Sequence, residues 1–106
     1  MAEISSVIVE QYMLGQILVR PESLPTVLQL IGPEDFQNKE YRLVVEACAD
    51  LAAAGLPIGT EAILARLRER HPGEHIAHPV LLLTLLREAI QTFQTESARI
   101  RKFLHG

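Results

Sequence analysis

Residues 33–57 read PEDFQNKEYRLVVEACADLAAAGLP and carry the longest uninterrupted helical pattern in the chain. Asn38 can cap a helix, because its side-chain oxygen can accept a hydrogen bond from a free amide of the first turn. Apolar residues then recur at three- and four-residue steps, which places them on one helical face. Gly55 can adopt the left-handed conformation that ends a helix, and Pro57 prevents continuation. The stretch therefore predicts a central helix with the rest of the chain packed around it.

Further helices are predicted on both sides of this segment. Before it, residues 7–19 form an apolar helix, and Pro21 opens a shorter one that ends near residue 31. Gly15 in the first helix costs about 1 kcal/mol relative to alanine, and a close helix–helix approach is one reason to accept that cost. The single large aromatics Tyr12, Phe36 and Phe93 are predicted to lie in the core.

After the central helix, Gly59 or Thr60 begins a fourth helix that runs to residue 70. Residues 71–79 are predicted to form a loop, and residues 80–104 a last helical region that Thr92 and Thr95 could divide in two. No run of alternating β-branched or aromatic residues indicates a strand. The prediction is an all-α domain, a compact orthogonal bundle of five to six short helices, covering residues 1–106.

Composition narrows the class of protein. With 106 residues, 48% hydrophobic and 22% charged, the chain suits one globular domain. No apolar run is long enough to span a bilayer, and residues 1–6 lack the pattern of a signal peptide, so a cytoplasmic protein is expected. The single cysteine, Cys48, excludes an internal disulfide and lies on an apolar helical face, so it is predicted to be a buried side chain and not a nucleophile.

The charge is small and unevenly distributed. A formal net charge of -3 argues against direct binding to nucleic acid, which needs clustered basic residues. Residues 1–50 hold eight acidic and three basic residues, whereas residues 51–106 hold five acidic and seven basic ones. This asymmetry suits an oppositely charged partner or a second copy of the chain, although ordinary solvated helix faces would also produce it.

Catalytic and cofactor motifs are not recognisable in the sequence. The glycines form no phosphate-binding loop followed by lysine, so no nucleotide site, no other cofactor and no enzymatic activity are predicted. His71, His75 and His78, with Glu74 among them, are the one metal-like group. Pro72 and Gly73 break any helical register there, so a solvated loop is predicted and a metal site is not, with a zinc-dependent enzyme kept as an alternative.

Two arginines, Arg66 and Arg70, lie four residues apart on the outer side of the fourth predicted helix. They are the candidate interaction residues of the chain, because guanidinium groups suit phosphate or an acidic partner. An ordinary exposed helix face would also explain them.

Residues in order along the chain form a recognisable series. It comprises Glu10 with Leu14-Gly15 four residues later, Pro21-Glu22-Ser23-Leu24, Asp35-Phe36, Tyr41, Gly55-Leu56-Pro57-Ile58 and the helix around Ile63 to Leu67. This series resembles the N-terminal domain of the bacterial replicative DNA helicases, the DnaB family, over residues 8–70.

The resemblance implies a protein–protein interaction domain. In that family the N-terminal domains form a collar on a hexameric ring, pair with one another and contact primase or a helicase loader. The full-length parent would be an ATP-dependent DNA helicase, and this chain would not itself hydrolyse ATP. The chain stops near where the family's long helical hairpin, on which pairing depends, should begin, so a monomer or a weak dimer is expected.

Two other interpretations remain open from the sequence. The helicase-binding C-terminal domain of primase shares the fold and pattern, and it would bind a helicase collar. The departures from the helicase pattern after residue 70, among them His75-Ile76-Ala77-His78, and the lack of a family-like hairpin fit that relative almost as well. A free-standing helical adaptor unrelated to replication is the second.

Overall fold

The computed structural model of the chain describes residues 6–104, and these form five α-helices and no strand. The helices are α1 (Ser6–Val19), α2 (Leu24–Leu30), α3 (Lys39–Ala53), α4 (Thr60–Arg70) and α5 (Pro79–Leu104). Short 3-10 turns at Pro21–Ser23, Pro33–Asp35 and His75–Ala77 lie between them. The all-α prediction is confirmed, whereas the ends of the predicted domain, residues 1–5 and 105–106, lie outside the described residues.

The central helix α3 begins and ends at the residues that the sequence indicated. The Asn38 side chain accepts a hydrogen bond from the Tyr41 backbone N–H at 3.1 Å. At the other end Gly55 has φ of 72°, a left-handed conformation that side chains disfavour. The N–H of Leu56 then donates to the Leu51 carbonyl at 2.9 Å, and that of Gly55 to the Ala52 carbonyl. These two bonds form a Schellman motif, which satisfies carbonyls at the end of the helix.

The core surrounds α3, which contributes seven buried side chains, more than the shorter helices. Val44, Val45 and Cys48 have no measurable exposure, so the prediction that Cys48 is buried is confirmed. Burial raises the pKa of the Cys48 thiol to about 12, because an anion in the core would lose its hydration. Leucines and isoleucines from the other elements complete the core, among them Leu14, Ile17, Ile63, Leu67, Ile76 and Leu82.

Helices α1 and α5 make the most extensive helix–helix contact. A β-carbon on Gly15 would stand 2.1 Å from the Ala89 carbonyl oxygen, closer than real β-carbons approach any atom. The close approach that was inferred from Gly15 is therefore confirmed. Beside it the rings of Tyr12 and Phe93 lie 5.2 Å apart between centroids. Tyr12 and Phe36 are buried as predicted, whereas Phe93 is only partly buried.

Two expectations for the C-terminal third need correction. The segment 71–79 is not entirely a loop, since His75–Ala77 forms a 3-10 turn that buries Ile76, and α5 begins at Pro79. Helix α5 is continuous, so the break predicted at Thr92 and Thr95 is wrong. With 26 residues it matches the last helical region expected over residues 80–104 apart from its first residue. None of the described helices combines the length and the apolar character that a bilayer crossing requires.

Candidate interaction surfaces

The buried carboxylate of Glu10 connects α1 to the start of α3. Its Oε2 accepts from the Gln37 backbone N–H at 2.9 Å, and its Oε1 accepts from the Asn38 N–H at 3.1 Å. Glu10 is only 4% exposed, yet the two amides satisfy both of its oxygens. A carboxylate suits this place, because amides just before a helix begins have no helical partner of their own.

A second polar contact joins three helices. Gln11 of α1 donates its side-chain N–H to the Tyr41 hydroxyl at 2.7 Å, and its Oε1 accepts from the Thr92 hydroxyl at 2.9 Å. Thr92 therefore points its hydroxyl at α1, and Thr95 donates to the Gln91 carbonyl within α5. Neither threonine interrupts the helix, because both hydroxyls have partners in the helical conformation.

The other residues of the recognised series have local structural surroundings. Leu14 and Phe36 are buried in the core. The Asp35 carboxylate accepts from the Gly32 N–H at 3.0 Å, which caps the turn at Pro33–Asp35. Pro57 is exposed in the link between α3 and α4. The residues of this series thus hold helices and turns in position.

Arg66 and Arg70 lie together along one side of an open groove of about 500 Å³ between α3 and α4. Arg70 Nε lies 3.2 Å from Asp50 Oδ2, and Arg66 lies 3.8 Å from Glu69. The groove also carries the carboxylate of Glu46, so charges of both signs line it. Its cations are exposed or half-buried, which leaves them accessible to an acidic group of a partner.

The histidine segment is held by an ion pair and not by its imidazoles. Glu74 Oε1 lies 2.6 Å from Lys39 Nζ, which ties the segment to the start of α3. This hydrogen bond to Lys39 lowers the pKa of Glu74, and the positive charge of Lys39 and the nearby His71 and His75 act in the same direction. His78 Nδ1 accepts from the Val80 N–H at 3.2 Å, in the first turn of α5. Over residues 6–104, no group of three or more candidate ligands is arranged to hold a metal ion.

The first two turns of α5 expose an apolar patch that the sequence analysis did not single out. Val80 is 64% exposed, Leu81 47% and Leu83 38%, and these three residues are here called the α5 patch. The run VLLLTLL at residues 80–86 contained the signal, since it has more apolar residues than one buried helical face can use. Exposed apolar side chains that cluster at one end of a helix are candidates for an interaction surface.

A groove of about 250 Å³ opens next to the α5 patch, between the start of α3, the turn at His75–Ala77 and α5. Tyr41, Ile76 and Leu85 form its buried floor, and Glu40 and Glu88 lie exposed on its rim. It is here called the acidic groove. Sequence reasoning could not find it, because its residues come from three elements that are distant along the chain.

Comparison with known proteins supplies the family context. Residues 2–100 match the family described as the DnaB-like helicase N terminal domain. A replicative DNA helicase DnaB from Synechocystis sp. is 31% identical over 81 residues, which is 76% of this chain. The same match covers only 9% of the length of that helicase. No solved structure matches the chain.

Proposed function

The chain belongs to the DnaB-like helicase N-terminal domain family, and from this we propose that it is the protein–protein interaction domain of a replicative DNA helicase. Its work is to assemble a collar with other copies and to dock primase or a helicase loader during DNA replication. The observation that carries this proposal is the extent of the family match, residues 2–100 of a 106-residue chain. The alternatives from the sequence, a primase domain and a free-standing adaptor, have no comparable support.

The geometry supports a docking role more than a catalytic one. Glu10, the buried charged side chain of the described residues, bonds to two backbone amides and joins α1 to the start of α3. By contrast, an apolar patch and two charged grooves lie open at the surface. ATP hydrolysis and DNA unwinding are proposed to reside in other parts of a parent helicase. We expect this chain to function in the cytoplasm and to bind neither nucleic acid nor a membrane.

Within this function we propose that Arg66 and Arg70 form one docking edge. Both line the groove between α3 and α4, and both reach it from the last turns of α4. An acidic side chain of a partner would compete with Asp50 for Arg70 and with the distant Glu69 for Arg66. Such exchange costs little, because exposed ion pairs contribute only about 0–1 kcal/mol.

The proposal is tested by titrating the labelled chain separately with primase, with the helicase loader and with an intact helicase collar from the same organism. Saturable binding to primase or to the loader is expected. Binding to the collar alone would overturn the proposal and favour a primase-side domain. Sedimentation velocity over a concentration series measures self-association, for which a monomer or a weak dimer is expected. DNA-dependent ATP turnover by the pure chain would also contradict the proposal.

A further inference from the structure

The acidic groove and the α5 patch meet at Leu81, near the start of α5. Leu81, Leu85 and Glu88 recur at four- and three-residue steps, so they follow one face of the helix. Leu81 belongs to both features, since it lines the groove and is 47% exposed. This face runs along about two turns of α5, with Leu81 and Leu85 on it and carboxylates on its rim, whereas Val80 and Leu83 lie on an adjoining side of the helix.

The carboxylates of this surface are not neutralised by the chain itself. Glu40 and Glu88 take part in no salt bridge and no side-chain hydrogen bond among the described residues. Lys39, next to Glu40 in the chain, is bound to Glu74 instead, and Arg87, next to Glu88, forms no ion pair with it. Besides the two glutamates, the titratable side chains that line the groove are those of Tyr41 and His75. The groove thus presents two free negative charges beside exposed leucine.

The negative environment also affects the pKa of Tyr41, on the floor of the groove. Burial raises the pKa of the Tyr41 hydroxyl, and the carboxylates of Glu88, Glu10 and Glu40 raise it further. The hydrogen bond from Gln11 acts in the opposite direction and is the second-largest influence. Three carboxylates therefore act together on one side chain at the base of the groove. An acidic ligand would be repelled there, and a basic one would be attracted.

We propose that the acidic groove and the α5 patch together dock a basic amphipathic helix of a partner protein. The partner's apolar side chains would cover Leu81 and its neighbours in the patch, and its lysines or arginines would pair with Glu40 and Glu88. A helix suits the surface, because helices in such grooves present apolar anchors at three- and four-residue steps, as α5 does here. The proposal deepens the docking role given above and rests on it.

A second copy of this chain is a poorer occupant on the same chemistry. The chain has a net charge of -3, which opposes its association with an acidic groove. Arg20 and Arg87 are exposed and outside the ion pairs of the described residues, but three other arginines are already paired within the chain: Arg66 with Glu69, Arg70 with Asp50 and Arg99 with Glu96. Using them at the groove of another copy would require these pairs to break. A separate protein with unpaired basic residues meets no such competition.

The test uses a short synthetic helix made only of leucine and lysine, with the leucines on one face. This peptide is titrated into the isotopically labelled 106-residue chain, and amide shifts are followed by NMR. Saturable shifts are expected at residues 38–41 and 75–88, and added salt is expected to weaken binding. A matched peptide with glutamate in place of lysine should cause none.

Variants of the groove and matched controls test whether the peptide binds specifically at the acidic groove. Glu40→Gln with Glu88→Gln, and separately Leu81→Ser, are expected to raise the Kd for the leucine–lysine peptide by about tenfold or more. Glu61→Gln and Leu30→Ser are the matched controls, because both residues are exposed and lie outside the groove. These controls should leave the Kd unchanged. All of these positions are exposed, so thermal melts should show that each variant folds.

Three outcomes would overturn the proposal. The first is equal weakening by the control variants, which would indicate unspecific attraction to an acidic protein. The second is a shift pattern centred on Arg66 and Arg70. The third is self-association of the chain through the α5 patch, seen as a rise in mass that Leu81→Ser abolishes. Failure of the unmodified chain to bind primase or loader refutes the proposed function, whereas partner binding that survives the Glu40 and Glu88 variants refutes only the groove.

Discussion

Oε1 of Glu10 lies 3.1 Å from the backbone nitrogen of Asn38, so a side chain of α1 holds the residue that caps α3. Asn38 in turn accepts from the Tyr41 N–H at 3.1 Å. Glu10 thus fixes the position of Asn38, and through it the starting point of the central helix α3. A glutamate four residues before Leu14-Gly15 is explained by this contact, because the α1 face that carries it also packs against the core.

Replacing Glu10 by glutamine is expected to lower the free energy of unfolding by about 1–3 kcal/mol, because one backbone N–H then has a neutral acceptor and the other faces an NH2 group that cannot accept. Alanine should lower it more, since it leaves the N–H groups of both Gln37 and Asn38 without their partner. Urea unfolding measures the change. Glu22→Gln is the control, because Glu22 is exposed and has no ion-pair partner, and it should stay within about 0.5 kcal/mol. A Glu10→Gln variant as stable as this control would contradict the assigned role.

Gly15→Ala is expected to destabilise the chain although alanine favours helices. The new β-carbon would stand 2.1 Å from the Ala89 carbonyl oxygen and 2.7 Å from Phe93 Cβ, so α1 and α5 would have to separate. Overpacking of this kind costs about 1–3 kcal/mol, which exceeds the helical gain of about 1 kcal/mol. Thermal melting measures the balance. Gly73→Ala, at a position with no atom within 4 Å of the new β-carbon, should show little change. A melting temperature for Gly15→Ala at or above that of the parent would refute the close approach.

Patterns among neighbouring residues predicted most of the helices and their ends. Contacts between residues that are distant along the chain could not be predicted from the sequence. Asn38 and Gly55 predicted the ends of α3, because a cap and a left-handed glycine act on neighbouring residues. Gly15 predicted a close approach but could not name Ala89 as its partner. The hydroxyl of Thr92 explains the wrong prediction of a break in α5, since it bonds to Gln11 of α1, a contact that no local pattern encodes.

The candidate sites divide in the same way. Arg66 and Arg70 were identified from spacing on one helix, and the structure places both on one groove. The acidic groove could not be predicted, because Glu40 and Glu88 reach one groove only when the fold brings the start of α3, the turn at His75–Ala77 and α5 together. Helix α5 begins at Pro79, one residue before the predicted start at Val80. Proline suits the first turn of a helix, and His78 accepts a hydrogen bond from the Val80 N–H.

Stability should decrease at alkaline pH in part because of Cys48. Burial raises the pKa of this thiol from 9.0 to about 12, so the folded chain keeps it neutral while an unfolded chain ionises it. The stabilisation is complete below about pH 9 and is lost as the pH rises towards 12, with a slope approaching 1.4 kcal/mol per pH unit. Urea unfolding between pH 8 and 10.5 measures it, and Cys48→Ala should flatten the curve. Tyr41 adds a further alkaline loss that this variant retains.

The thiol should also resist alkylation in the native chain. Iodoacetamide at pH 8 is expected to modify Cys48 only after unfolding, because the reactive thiolate does not form in the core. Rapid modification without denaturant would show that the α3 face opens locally, and it would contradict the burial described here.

Arg66→Ala combined with Arg70→Ala is expected to weaken binding of primase or loader by about tenfold or more while changing stability by less than about 1 kcal/mol. Arg70 is exposed and its partner Asp50 is partly solvated, so water replaces the lost pair when the guanidinium is removed. Binding measured by calorimetry and stability measured by urea unfolding separate the two effects. Arg87→Ala is the matched control, because Arg87 is an exposed arginine on α5, outside the groove between α3 and α4. If the Arg87 variant weakens binding equally, the effect is due to the net charge of the chain and not to these two positions. If the double variant binds as well as the parent, Arg66 and Arg70 are not part of the docking surface.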